Sequence, residues 1–303
     1  MKRSGVGKRP RNKIKPVRAP VVKRRIWVRP DAPGPIHPEI DRQLSKPFLS
    51  SIYIDEDRGC FRYPVNGQPD AIVEGIHKRM LRRFFRNIPL PKTRITSAGK
   101  TKRLASSMEE GSRADTVLEE CVRSQQPPPP PGHRGCSPYA TAVWNYWMEN
   151  HHRPVLAQLP VVFSRFNVAT AGDYITIRTD PQTGWQSVWL WELKTGWPAT
   201  PKNPEIMAPP LAHVPMTAVN RWQLQLMLTR MGYEKELGMS FSGGAHVLHV
   251  WKEREGDHEG AGEGEYTCRV HVVLPEELNP PNWPLLIDRD TLYESMAAKS
   301  YKK

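Results

Sequence analysis

Two charged residues stand in an otherwise apolar stretch of the sequence, SVWLWELKT (187–195). Its composition is typical of a β-strand, and side chains two residues apart on a strand project from the same face, so Glu192 and Lys194 can share one site. Asp173 begins a second strand-like stretch, DYITIR (173–178). Carboxylate oxygens suit Mg²⁺, and a lysine can hold or help to deprotonate an attacking water. The pattern therefore predicts a metal-dependent site that hydrolyses phosphodiester bonds.

The elements that must position these residues follow from the hydrophobic periodicity of the chain. If the strands on either side of the turn TDPQTG (179–184) pair as a hairpin, Asp173 lies opposite the end that carries Glu192. Asp180, inside the turn, is the alternative metal ligand. The predicted elements are helices at 107–122 and 139–150, strands at 155–163, 172–178 and 187–195, a helix at 220–233, strands at 245–253 and 266–274, and a short helix at 288–299. Their order predicts an α/β fold in which helices flank a central mixed sheet.

The order of the polar residues resembles that of a known family. The spacing D-x18-E-L-K, from Asp173 to Lys194, is preceded by a helix that contains acids and followed by a helix that reads QLQ. This set resembles the PD-(D/E)XK nucleases, most of all their lambda-exonuclease and RecB nuclease-domain branch, over roughly residues 97–275. The resemblance implies a restriction-endonuclease-like core, Mg²⁺ or Mn²⁺ as cofactor, and DNA as substrate. It also implies exonucleolytic cleavage in replication, recombination or genome processing.

The roles of the family's residues can be carried over position by position. They imply that Asp173 and Glu192 bind the metal ion and that Lys194 activates the water. The helix after the E-x-K strand typically presents a glutamine near the lysine, which implies a catalytic role for Gln225. Gln223 is the alternative, because residues two apart on a helix cannot both point inward.

A third carboxylate is implied in the helix over 107–122. The family's upstream helix often carries a glycine, a histidine and a glutamate, and the corresponding residues here are Gly111, Asp115 and Glu119. An aspartate thus stands where histidine is common. Residues four apart share a helix face, so Glu119 is the implied third metal ligand, with Asp115 beside it. The alternative is that Glu119 is a solvated residue like its neighbour Glu120.

The positive charge of the chain, +13 in total, is concentrated in two segments without acids. Residues 1–30 and 75–108 together hold 22 of the 44 Lys and Arg residues, which leaves 22 basic against 31 acidic residues elsewhere. Concentrated positive charge is what binding to a phosphate backbone by counterion release requires. We therefore predict nucleic-acid contacts from the second segment, namely Arg82, Arg83, Arg86, Lys100, Lys102 and Arg103.

Composition divides the chain into three parts. Residues 1–50 are rich in proline and basic residues without a sustained period, which predicts a disordered arm. Residues 51–106 are predicted to be a basic extension, with a helix over 71–87 followed by a basic loop over 88–107, and residues 107–303 to be the nuclease domain. The segments KRPRNKIK and VKRR indicate a DNA-binding arm or a nuclear-localisation signal, and a mitochondrial transit peptide is the alternative.

Several other chemistries are disfavoured by the sequence. The four cysteines lie far apart without a CxxC pair, which argues against a zinc or an iron–sulfur site. His246 and His249 are three apart on a predicted strand and face opposite sides, so they are poor co-ligands. No apolar run reaches the length of a membrane span, and no small-molecule cofactor is indicated. The remaining alternative is a non-catalytic basic protein that binds nucleic acid within a replication or ribonucleoprotein assembly.

Overall fold

The computed structural model describes residues 24–25, 35–45, 52–55, 60–65, 68–76, 98–196, 211, 216–254 and 266–273. The helices in these ranges are α1 (Pro38–Ser45), α2 (Ala98–Ser124), α3 (Pro138–Glu149) and α4 (Ala218–Leu237). The strands are β1 (Arg24–Arg25), β2 (Tyr53–Asp55), β3 (Cys60–Val65), β4 (Gln68–Gly75), β5 (His152–Phe163), β6 (Val168–Thr179), β7 (Gln186–Thr195), β8 (Gly244–Arg254) and β9 (Tyr266–Val273). Among the described helices, none has the length and apolar character needed to cross a membrane.

A mixed sheet forms the centre of the fold. Strands β5, β6 and β7 are antiparallel, α4 then crosses over, and β8 lies parallel to β7 with β9 antiparallel beside it. Strands β1 to β4 form an antiparallel series that joins β6 through a short parallel pairing. The alternation of apolar residues and the turn chemistry predicted the three consecutive strands β5 to β7.

One edge of β6 is divided between two neighbouring strands. β5 pairs along the whole of one edge of β6. β4 and β7 therefore share the opposite edge of β6. β4 pairs with Val168 and Ala169, whereas β7 pairs with residues 174–179. Residues 170–173, between these pairings, have no ladder partner on that edge within the described part of the chain. The sheet therefore has an opening there.

Helices cover both faces of the sheet. On one face, α1 and α4 pack against β5 to β8 through a core that includes Leu44 and Leu226. On the other face, α2 and α3 pack through a second core that includes Leu118 and Trp147. This architecture confirms the predicted α/β fold with a central mixed sheet flanked by helices.

Local signals set the starts of the two helices whose limits were predicted most closely. α3 begins at Pro138, and the preceding Ser137 accepts the backbone N–H of Ala140 at 3.3 Å. Thr217 caps α4 in the same way by accepting the N–H of Asn220 at 3.1 Å. Such hydroxyl caps satisfy backbone donors that the first helical turn leaves without a partner.

The predicted helix over residues 71–87 is wrong at its start, because Gln68–Gly75 form strand β4. Ile72 is 54% exposed whereas Val73 is buried, which is the alternation of a strand. Pairing with β3 decides the conformation over the helical spacing of the apolar residues. The rest of the predicted helix, with Arg82, Arg83 and Arg86, lies outside the described residues.

Helix α2 begins well before its predicted start. It runs from Ala98, so Lys100, Lys102 and Arg103 lie on this helix and not in the basic loop predicted over 88–107. The predicted C-terminal helix over 288–299 lies outside the described residues.

The prediction that residues 1–50 form a disordered arm is wrong for residues 38–45, which form α1. Ile40 and Leu44 on this helix are buried in the core beside α4. Gln43 fixes the helix further, since its Oε1 accepts the N–H of Ser240 at 3.0 Å. Two apolar residues at helical spacing thus give this short segment a buried face.

Candidate active site

The candidate active site lies at the opening between β6 and β7. The ladder between these strands ends at the pair Tyr174 and Trp191, so the next backbone N–H groups need other partners. The N–H of Gly172 donates to the hydroxyl of Tyr233 on α4 at 2.7 Å. The N–H of Leu193 donates to Oδ2 of Asp173 at 2.8 Å. Asp173 thus takes the place of a strand partner where the two strands diverge.

Glu192 and Lys194 project from one face of β7, as predicted. The ammonium group of Lys194 contacts Oε1 of Glu192 in a short ion pair. The side chain of Glu192 has no exposed area, whereas that of Lys194 is 22% exposed, so the site reaches solvent at the lysine. Oε2 of Glu192 is buried and has no hydrogen-bond partner.

Helix α2 brings a further carboxylate to the site. A Cβ on Gly111 would lie 2.5 Å from Oγ1 of Thr195, so the glycine allows α2 to approach the end of β7. Asp115 lies one turn further along α2, where its backbone carbonyl accepts the hydroxyl of Tyr174 at 3.2 Å. Its Oδ1 is buried without a hydrogen-bond partner. Asp115 therefore stands beside the strand pair that carries Asp173 and Lys194.

Glu119 lies on the next turn of α2. Its side chain is buried, and its Oε1 accepts a hydrogen bond from Arg123 at 2.5 Å. The charge of Glu119 helps to raise the pKa of Asp115, so the two carboxyls are neighbours. Helical spacing alone did not separate the two acids, and the structure gives Asp115 the closer electrostatic link to Asp173 and Lys194.

The four ionisable groups of the site perturb one another strongly. Burial raises the pKa of Asp115 to about 7, and the charge of Asp173 adds to the effect. Burial also raises the pKa of Glu192 to about 8, again with a contribution from Asp173, although Lys194 opposes it. The pKa of Asp173 is raised by burial, against the attraction of Lys194 and the hydrogen bond from Leu193.

The lysine remains a cation. Burial lowers the pKa of Lys194, but the negative charges of Glu192 and Asp173 outweigh it and leave the pKa above its ordinary value. Three carboxyl groups, those of Glu192, Asp173 and Asp115, therefore interact electrostatically with one ammonium group. The site lacks positive charge when all three carboxyl groups are ionised.

The donor set fits a hard divalent cation whose coordination is completed by water and substrate. Two buried carboxylate oxygens, Oδ1 of Asp115 and Oε2 of Glu192, have no hydrogen-bond partner. Within the described ranges, no three or more His, Cys, Asp or Glu side chains form a group that could hold a metal ion unaided. Mg²⁺ is usually held by one or two carboxylates, several waters and substrate phosphate, so a complete protein cage is not required.

Gln225 lies on the sheet-facing side of α4. It is 8% exposed, and it is one turn before Thr229, whose hydroxyl lies 3.2 Å from that of Thr170 on β6. Trp222, earlier on the helix, contacts the ring of His249 on β8. His249 is paired with Lys194 in the ladder between β7 and β8. This part of α4 therefore spans the strands beside the opening.

Gln223 cannot share the face of α4 that carries Gln225. The side chain of Gln223 is half-buried, and its Oε1 has no hydrogen-bond partner. Helical spacing alone does not decide between the two glutamines, and the contact of Thr229 with β6 favours Gln225.

The histidines and most tryptophans near the site have structural roles. His246 packs against Trp189 and Trp191, whereas His249 lies on the opposite face against Trp222. The two histidines therefore face opposite sides, as their spacing predicted. Trp189 and Trp191 stack with their ring centroids 5.6 Å apart inside the protein.

Comparison with known proteins adds no assignment. No protein-family model, no curated protein and no solved structure matches this chain.

Proposed function

We propose that this chain is a metal-dependent nuclease of the PD-(D/E)XK type that hydrolyses phosphodiester bonds of DNA. The observation that carries the proposal is the set of Asp115, Asp173 and Glu192 around Lys194, in a sheet opening with buried carboxylate oxygens that have no partner. The order of an α-helix, three antiparallel strands, a crossover helix and a parallel strand supports a restriction-endonuclease-like core.

Each residue has a distinct role in the proposed reaction. Asp173 and Glu192 would hold Mg²⁺ or Mn²⁺, with Asp115 or Glu119 as the third carboxylate. When bound, the metal would supply polarisation of the phosphoryl group and acidification of a water. Lys194 stays protonated, so it donates hydrogen bonds to the attacking water and to the scissile phosphate. Its 22% exposed side chain is where the substrate can enter.

The charge distribution supports nucleic acid as the substrate. The first 30 residues contain 12 Lys and Arg residues without an acid, and the proposed contacts in the second basic segment are Arg82, Arg83, Arg86, Lys100, Lys102 and Arg103. Such segments bind phosphate backbones irrespective of sequence. We further propose exonucleolytic action on DNA and a nuclear location, with the mitochondrion as the alternative location.

The test is cleavage of end-labelled linear duplex DNA and of circular DNA, in Mg²⁺, Mn²⁺, Ca²⁺ or EDTA. We expect cleavage in Mg²⁺ and Mn²⁺ only, because Ca²⁺ coordinates more loosely and acidifies water poorly. Lys194→Ala should lower the rate by about 10²–10³-fold, the usual loss when one preorganised hydrogen-bond donor to developing charge is removed. Glu192→Gln should lower it at least as much, because it removes the charge of a metal ligand. DNA affinity should change little, and both variants should keep a cooperative thermal unfolding transition.

Matched controls are available on the surface. Glu120→Gln on α2 and Lys235→Ala on α4 remove the same charges at exposed positions, and both should cleave like the wild type. Wild-type rates in Glu192→Gln or Lys194→Ala would refute the active site. Wild-type protein that binds DNA without cleaving it in any metal would identify a non-catalytic DNA-binding protein.

A further inference from the structure

A strained residue lies directly opposite Asp173 in the sheet. Gln158 on β5 has a φ of +50°, a left-handed conformation that side chains other than glycine rarely adopt. Three other described non-glycine residues have a positive φ: Gln125, His151 and Asn167. Those three lie in connections between elements, whereas Gln158 lies within a strand. Strain of this kind costs folding free energy and concentrates at functional sites.

At Gln158 and Asp173, the side chains of β5 and β6 stop alternating regularly between the two faces of the sheet. Leu156 and Leu159 on β5 are three residues apart, yet both belong to the core beneath α4. On β6, Tyr174 belongs to the opposite core, whereas a Cβ on Gly172 would lie 2.8 Å from the Tyr233 hydroxyl on α4. The register pairs Ala157 with Tyr174 and Leu159 with Gly172, so Gln158 and Asp173 face each other at the break.

The conformation of Gln158 brings its amide to the carboxylate. Nε2 of Gln158 donates to Oδ1 of Asp173 at 3.3 Å, while the N–H of Leu193 donates to Oδ2 at 2.8 Å. Each oxygen of Asp173 therefore has one donor, and the plane of the carboxylate is fixed. A carboxylate offers about four lone-pair positions, so about two remain for a cation.

We infer that Gln158 is a positioning residue that orients Asp173 for metal binding, a role that rests on the proposed nuclease function. A neutral amide suits this place because the site already has three carboxyl groups around one lysine. A positively charged side chain at position 158 would compete with the metal ion for Asp173. A side chain that can only accept hydrogen bonds would repel the carboxylate of Asp173. In this left-handed conformation the amide of Gln158 reaches Oδ1 of Asp173, so the backbone strain accompanies the contact that orients the carboxylate.

Three variants separate this role from a purely structural one. Gln158→Gly relaxes the backbone and removes the amide, and Gln158→Met keeps the strain and the length of the side chain but removes the donor. Gln125→Gly is the matched control, since Gln125 has a φ of +55° but donates to the carbonyls of Val122 and Pro154, away from the site. Each purified variant would be measured for melting temperature without metal, Mn²⁺ binding by electron paramagnetic resonance, and cleavage rate against Mg²⁺ concentration.

We expect both Gln158 variants to need about 10- to 100-fold more Mg²⁺ or Mn²⁺, the usual loss when a partner that orients a metal ligand is removed. The cleavage rate should recover at saturating Mg²⁺. Gln158→Gly should melt at or above the wild-type temperature, so its stability and metal affinity would move in opposite directions. Gln125→Gly should keep the wild-type metal requirement.

The outcomes are distinguishable. A wild-type metal requirement in Gln158→Gly would overturn the positioning role while leaving the nuclease proposal intact. Lower stability of Gln158→Gly together with unchanged Mn²⁺ affinity would also overturn it, by showing a structural role. Wild-type protein that neither cleaves DNA nor binds Mn²⁺ would refute both. If Gln158→Met does not fold, the comparison of the two glycine variants decides.

Discussion

Glu192→Gln is expected to stabilise the metal-free protein at alkaline pH. The side chain of Glu192 is completely buried, and burial raises its pKa from 4.5 to about 8. Between about pH 4.5 and pH 8, the metal-free folded protein therefore keeps a proton on Glu192, whereas the unfolded chain releases it. A group with a raised pKa in the folded state contributes stability that is fully present below about pH 4.5 and lost as the pH rises through 8.

The size of the effect follows from the shift. One pKa unit corresponds to about 1.4 kcal/mol, so ionisation of Glu192 should cost the wild-type protein about 4 kcal/mol between pH 5 and pH 8. A glutamine does not ionise, so the variant lacks this part of the pH dependence. Relative to the wild type, Glu192→Gln should gain about 4 kcal/mol in free energy of unfolding over the same interval.

The assay is urea unfolding at a series of pH values from 5 to 9, in EDTA and in Mg²⁺. In Mg²⁺ the wild type should recover stability, by about 2.7 kcal/mol at 100 times the dissociation constant, and the variant should not. Because Mg²⁺ needs the ionised carboxylate, the wild-type affinity for Mg²⁺ should increase with pH up to about 8. Glu120→Gln, at an exposed position, is the control. If the free energies of unfolding of wild type and Glu192→Gln in EDTA changed in parallel with pH, the raised pKa of Glu192 would be refuted.

Two further predictions concern the third carboxylate and the basic segment. Asp115→Asn should raise the Mg²⁺ requirement about 10-fold or more, whereas Glu119→Gln should change it less, because Asp115 has the buried oxygen without a partner. The reverse order, in a titration of cleavage rate with Mg²⁺, would make Glu119 the ligand. Deletion of residues 1–22, which spares β1, removes eight Lys and Arg residues and no acid. DNA affinity should fall and the slope of its logarithm against log salt should become shallower by somewhat under one for each lost phosphate contact. An unchanged slope in fluorescence-anisotropy titrations would exclude this segment from DNA contact.

The parts of the fold that sequence predicted are those in which local and tertiary preferences agree. The strands β5 to β7 have apolar alternation and end at recognisable turns, and α3 and α4 have hydroxyl caps. The helical spacing of Ile72 and Ile76 predicts a helix from Ala71, which overlaps the last part of β4, and only pairing with β3 decides otherwise. The start of α2 was missed because its first turn carries no acidic residue.

The part of the candidate site that the sequence predicts is the part set by side-chain direction on β7 and by the hairpin to β6. Glu192 and Lys194 lie together because a strand has a period of two, and the hairpin turn brings Asp173 to the same end. The choice between Asp115 and Glu119 depends on which turn of α2 meets β7. That is set by the contact between Gly111 and Thr195, which lie far apart in sequence. The strained conformation of Gln158 has no local sequence signal, since glutamine has no preference for a positive φ.

The opening between β6 and β7 makes Asp173 and Glu192 subject to different selection. Asp173 accepts the Leu193 N–H that the diverging strands leave without a ladder partner, and losing such a buried bond costs about 1–3 kcal/mol. A descendant that had lost the reaction would still be selected to keep Asp173 for folding. Glu192 is buried at a cost and pairs with Lys194 instead of with the backbone of the sheet, so the same descendant would gain stability by replacing it with glutamine. Under the proposed function, the presence of Glu192, more than that of Asp173, would therefore mark a chain that is selected for catalysis.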